Sequence, residues 1–101
     1  MAYKLIWSPL SRDDLHDIVR YISLDSPQRA ESFAYRLIQQ TDLLQEHAEI
    51  GRRVPEFRNQ LIREIVFKPY RIVYRLDHSQ KVVEIIRVWH AARGTPRMTQ
   101  Q

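Results

Sequence analysis

The chain has 101 residues, a length that fits one domain and leaves little room for a second. It has no cysteine, which excludes a disulfide framework, a thiolate metal site and a cysteine nucleophile; its two glycines are too few for a glycine-rich phosphate loop. The net charge of +4 is unevenly spread: residues 1–50 carry −3, residues 51–101 carry +7, and 13 of the 16 basic side chains are arginine.

That asymmetry bears on partners. Arginine presents a planar fork that grips phosphate or carboxylate at two points. The second half is therefore expected to present either a surface for nucleic acid or an acidic protein, or a solvated arginine-rich sheet face. No apolar run approaches the length of a membrane span, and Met1-Ala2-Tyr3-Lys4 lacks the core of a signal peptide. A cytoplasmic location is expected.

Tyr3 to Trp7 reads as a short strand, aromatic and β-branched with partial alternation. Ser8-Pro9 can open a helix, because serine accepts from free backbone N–H groups and proline suits the first helical position. A rival start is Ser11, with Asp14 as its capping-box partner. Leu15, Ile18, Val19 and Ile22 then form one apolar helical face. Asp25-Ser26-Pro27 ends this helix and caps a second, whose apolar face is Ala30, Phe33, Ala34, Leu37, Ile38, Thr41 and Leu44. So short a connection makes an antiparallel helical hairpin.

Gly51 to Gln60 reads as a polar loop with Arg52, Arg53, Pro55, Glu56 and Arg58. Three strands follow: Leu61 to Phe67, Tyr70 to Leu76, and Val82 to Trp89 or His90. Asp77-His78-Ser79-Gln80 is a polar turn that joins the last two as an antiparallel hairpin. In the middle strand Ile72, Tyr74 and Leu76 alternate with Arg71, Val73 and Arg75, so one face suits the helices and the arginine face should be open. The last strand is apolar on both faces at its start and should be central. The fold class expected is α+β, in the order β-α-α-β-β-β, with the helical hairpin on one face of a mainly antiparallel four-stranded sheet. Residues 1–94 form a single domain in this reading, and 95–101 a flexible C-terminal tail.

Several stretches, taken together in order, resemble one family. They are Trp7-Ser8-Pro9 with Asp14-Leu15 and Tyr21-Ile22, Ser26-Pro27 with Ala30 and Phe33, and Gly51-Arg52-Arg53-Val54-Pro55-Glu56. Arg63-Glu64, Tyr70-Arg71-Ile72-Val73-Tyr74, and Val88 with His90 and Arg93 complete the set. The pattern is similar to the RelE/ParE superfamily of toxins, also called plasmid stabilisation proteins, and runs from about Tyr3 to Arg93. The resemblance implies the RelE-like fold and a type II toxin–antitoxin toxin neutralised by a cognate antitoxin, with which it would form a hetero-oligomer. One branch of the superfamily cleaves mRNA on the ribosome; the other inhibits DNA gyrase and cleaves nothing.

Metal-independent RNA cleavage needs a base for the 2′-hydroxyl, a cation for the phosphate and an acid for the leaving oxygen. Carried over position by position, the resemblance makes Glu56 the general base, Arg71 the phosphate clamp and His90 the general acid, with Arg53, Arg63 and Arg93 as further nucleic-acid contacts. Each residue also has a structural reading: a loop ion pair for Glu56, a solvated or interface arginine for Arg71, and a packed histidine for His90. Gyrase-directed relatives often share the arginine and the histidine. Their last histidine, however, is usually followed by a Met-Asp pair, where this chain has Ala91-Ala92-Arg93-Gly94. On that difference the ribonuclease reading is preferred, with ribosome and mRNA as partners; the alternative is a gyrase inhibitor. The four histidines lack metal-ligand spacing, so no metal and no cofactor is expected.

Overall fold

The computed structural model describes residues 2–98. Strand β1 (Lys4–Trp7) leads into helix α1 (Pro9–Ser23), then α2 (Pro27–Asp42) and a 3₁₀ turn at Leu43–Gln45. Four strands follow: β2 (Arg52–Arg53), β3 (Ile62–Phe67), β4 (Tyr70–Asp77) and β5 (Val82–His90). A second 3₁₀ turn spans Ala91–Arg93. The α+β class and the helical hairpin stand as the sequence predicts.

The sheet has five strands, ordered β1-β5-β4-β3-β2, and not four. The extra strand is a two-residue piece of the expected polar loop, where Arg52 and Arg53 pair with Glu64 and Arg63. Two charged residues carry no strand signature; what recruits them is the free edge of β3 and an ion pair described below. β5 lies between β4 and β1, antiparallel to the first and parallel to the second, and is thus interior as its apolar run requires.

Of the two proposed starts for α1, the structure takes Ser8. Its side chain accepts from the Ser11 amide, and Pro9 occupies the first turn. Ser11 is buried, its hydroxyl donating to the Ser8 carbonyl, so it closes the same cap from inside. Ser26 caps α2 in the same way through the Arg29 amide, again ahead of a proline.

The main core lies between the hairpin and the sheet. Phe33, Leu37 and Leu44 meet Ile72, Tyr74, Leu76, Val83, Ile85 and Val88, with Leu15, Ile18 and Ile22 of α1 packed alongside. These are the positions that helical and strand periodicity mark, with Ile38 an exception that stays exposed.

The other sheet face departs from the expectation of an open surface. Val73 is fully buried, and with Ile62, Ile86 and Val54 it forms a second, smaller core, covered by Phe57 and Met98. The cause is local. The loop after β2 carries Val54 and Phe57, which fold across the sheet, while a bulge in β5 at Ile86 turns an extra apolar side chain to that side. Pro96 is buried and Met98 packs here, so the first residues of the expected tail belong to the folded body. Residues 99–101 of that tail lie outside the described residues.

Candidate functional site

The second face holds a chain of charges built by the strand register. Glu64 on β3 lies opposite Val73, two residues along from the Val66–Arg71 pair, so the Glu64 and Arg71 side chains emerge on the same face. Arg71 Nε donates to Glu64 Oε1 at 2.6 Å, and Arg52 Nε donates to Glu64 Oε2 at 2.6 Å. The Glu64 side chain is wholly shielded from water, a position a carboxylate tolerates only when it is paired and hydrogen-bonded.

Arg71 uses the rest of its fork on the loop. Nη1 and Nη2 donate to Glu56 Oε2 and Oε1 at 2.9 and 2.7 Å, and Nη1 also donates to the Gly94 carbonyl at 3.1 Å. Glu56 reaches this point because Val54 is anchored in the second core and the Phe57 amide donates back to the Val54 carbonyl. The hydrogen bonds from Arg71 hold the Glu56 carboxyl below its ordinary range, and the pair with Glu56 raises Arg71 further above its own.

His90 is not on this face. The register opposes Arg71 to Trp89 and Tyr70 to His90, so Arg71 and Trp89 share the outer face while Tyr70 and His90 share the helix face. His90 meets Tyr70 edge-on, with ring centroids 5.2 Å apart. Its Nδ1 accepts from the Ala92 amide and caps the 3₁₀ turn, so the neutral ring carries its proton on Nε2. It lines an open groove with Asp17, Tyr21, Tyr70 and Arg93. The structure thus joins Glu56 with Arg71 and leaves His90 across the sheet.

The three arginines expected to assist are likewise dispersed. Arg53 is exposed on β2, directly opposite Arg63. Arg63 donates to the Gly51 carbonyl. Arg93 stacks on Trp89, its guanidinium carbon 3.8 Å from the ring centroid. Among the described residues no group of three or more His, Asp or Glu side chains is placed to hold a metal ion.

Sequence reasoning missed three features of this region. Glu64 was recognised only as part of a motif, because nothing local marks a strand glutamate as buried. Asp14, read as a helix-start residue, instead grips Arg87 on β5. Trp89 lies beneath three arginines, Arg93, Arg87 and Arg97. Nothing local in the sequence places Arg97 there, because its segment has no strand or helix period.

Comparison with known proteins adds the following. A family model described as ParE toxin of type II toxin–antitoxin system, parDE, matches residues 5–94. No curated protein matches the sequence. Among solved structures, the chromosomal ParDE toxin–antitoxin system of P. aeruginosa aligns with a TM-score of 0.71 at 23% identity, over 88% of this chain and 96% of that one. The toxin–antitoxin complex RelBE2 of Mycobacterium tuberculosis aligns at 0.64 and 22% identity, over 89% and 99%. A mutant of the E. coli toxin RelE in the free state aligns at 0.62 and 22% identity, over 93% and 88%. The fold is therefore the one these toxins share.

Proposed function

Since the chain belongs to the family of ParE toxins of type II toxin–antitoxin systems, we propose that it arrests growth as a binding inhibitor of DNA gyrase, with no chemistry of its own. In the absence of its target its partner is a cognate antitoxin. One observation carries this reading: the residues that ribonuclease chemistry would need are committed elsewhere or face apart. A general base works best with a pKa near the working pH. Glu56 is instead tied at both oxygens to the Arg71 cation, which holds its carboxyl low. Four of the five Arg71 N–H groups are bonded to Glu56, Glu64 and Gly94, and His90 lies on the far face of the sheet.

The deciding experiment pairs two assays on purified protein. A gyrase supercoiling assay should show inhibition, while cell-free translation followed by primer extension should show intact mRNA. The His90→Ala variant should inhibit gyrase as the parent does. Ribosome-dependent cuts in the mRNA that vanish in His90→Ala would overturn the proposal in favour of a ribonuclease.

A further inference from the structure

The charge chain ends on the backbone of the C-terminal segment, and that connection suggests its use. The Gly94 carbonyl accepts from Arg71 Nη1 and from the Trp89 indole N–H, both at 3.1 Å. Three residues on, the Arg97 carbonyl accepts from Arg87 Nη1 at 2.6 Å. Between them Pro96 is buried, and beyond them Met98 packs on the second core. Gly94 has a φ of 78°, a left-handed conformation that suits glycine and lets the chain turn back across the sheet. A segment of this length has no secondary structure to stiffen it; here two strand arginines and a tryptophan do so.

The segment presents two cations in a fixed position. Arg93 and Arg97 are both exposed and lie over Trp89, 3.8 and 5.9 Å from its centroid. Neither has a carboxylate partner among the described residues, whereas Arg52, Arg71, Arg75 and Arg87 each have one. Stacking restricts the Arg93 side chain, and the Arg97 backbone is held by Arg87, which lowers the entropy lost when a partner immobilises the segment. Exposed, pre-oriented guanidinium groups fit carboxylates on a facing protein.

We propose that residues 93–98 form a rigid arm whose Arg93 and Arg97 dock on a carboxylate-rich surface of the toxin's protein target, and that Arg71 is the residue that positions it. The inference rests on the reading of this chain as a protein-binding toxin. It gives the Glu56–Arg71–Glu64 chain a role that a proton-transfer site does not need: fixing the arm's origin at Gly94.

The test uses the full chain and three readouts: growth arrest on induction, inhibition of purified gyrase, and amide exchange across residues 94–98. The double variant Arg93→Glu, Arg97→Glu should keep the parent's thermal transition, weaken gyrase inhibition roughly thirtyfold or more, and abolish arrest. Arrest that persists in this folded variant overturns the arm as a docking surface. If the parent arrests growth without touching gyrase, and the reversal still abolishes arrest, the gyrase reading fails while the arm stands. If the parent instead cleaves mRNA, and the reversal abolishes cleavage, Arg93 and Arg97 are phosphate contacts and the proposal fails. Positioning is tested with Arg71→Lys and, should that variant not fold, with Glu56→Gln, which loosens the Arg71 fork while leaving Trp89 and both docking arginines unchanged. Either should speed exchange in the arm and weaken inhibition together. Unchanged exchange removes the positioning role.

Discussion

Asp14 holds Arg87 at two points, Oδ1 to Nη2 at 2.7 Å and Oδ2 to Nε at 2.8 Å, and its Oδ2 also accepts the Val88 amide at 2.9 Å. Strand β1 ends its pairing at Ile85, so the next stretch of β5 has no neighbouring strand on that side. One helix carboxylate thus satisfies a sheet-edge amide and neutralises a strand arginine, and both side chains are nearly closed to water. Removing one partner leaves a desolvated charge, which typically costs about 3–5 kcal/mol. Asp14→Ala should lower the unfolding free energy by that order in a urea titration. A loss under about 1 kcal/mol would mean the pair behaves as a solvated surface bridge.

Glu64 should prove more sensitive than the arginine that shares it. Its side chain is fully shielded, while that of Arg52 is 60% exposed. Glu64→Ala takes the acceptor from the buried Arg71 Nε, leaving Arg71 its bonds to Glu56 and Gly94, and should destabilise by about 1.5–3 kcal/mol. Arg52→Ala leaves Arg71 in place to compensate and should cost no more than about 1 kcal/mol. Equal losses from the two variants would contradict a network centred on Arg71.

Gly51 is fixed by a close approach, not by its backbone angles. A Cβ there would stand 2.5 Å from Tyr74 Oη and 2.8 Å from the Glu64 carbonyl oxygen. The Tyr74 hydroxyl accepts from the Gly51 amide and donates to the Ala48 carbonyl, tying the loop before β2 to the sheet. Gly51→Ala should destabilise by about 1–3 kcal/mol through overpacking, read as a lowered thermal midpoint. Tyr74→Phe should cost about 1–3 kcal/mol by leaving buried backbone groups without a partner. A neutral Gly51→Ala would mean the tyrosine can move aside freely.

The Glu56–Arg71 pair should leave a signature in acid. The Glu56 carboxyl is held below its ordinary value of 4.5 by hydrogen bonds from Arg71. A carboxyl with a lowered native pKa contributes stability that is full above the unfolded value and lost as the pH falls through the native one. The thermal midpoint of the parent should therefore exceed that of Glu56→Gln by a constant margin at neutral pH. The margin should shrink below about pH 4.5, as the group takes up its proton. A margin that stays flat into acid would show that the carboxylate contributes nothing through its charge.

How far the sequence could be read depends on whether a signal was local. Ser8-Pro9 and Ser26-Pro27 announce their helices because capping is a matter of adjacent residues. The apolar periods of both helices and of β4 identify the main core for the same reason. The strand arginines were legible as charges but not in their surroundings. Arg71 was expected at an open face, yet it is buried because Val54, Phe57 and Met98, distant in the chain, cover that side. The separation of His90 from Arg71 follows from a register in which Tyr70 and not Arg71 faces it. Alternation within each strand could not show this, since the pairing offset depends on the turn and on the bulge beside Val73. The resemblance supplied residues of the right kind, but the register set which of them share a face.

The parallel pairing of β1 with β5 bears on how the molecule is made. Among the described residues the first strand rests against the last, from Lys4 against Val82 to Trp7 against Ile85. Until Val82 to His90 emerges, β1 has no neighbour and the helical hairpin has only an incomplete floor on which to bury its apolar face. Contacts so distant in sequence are late and slow to form. The domain is thus held short of its native shape until β5 is free to pair, because that one strand closes both the sheet and the floor beneath the helices.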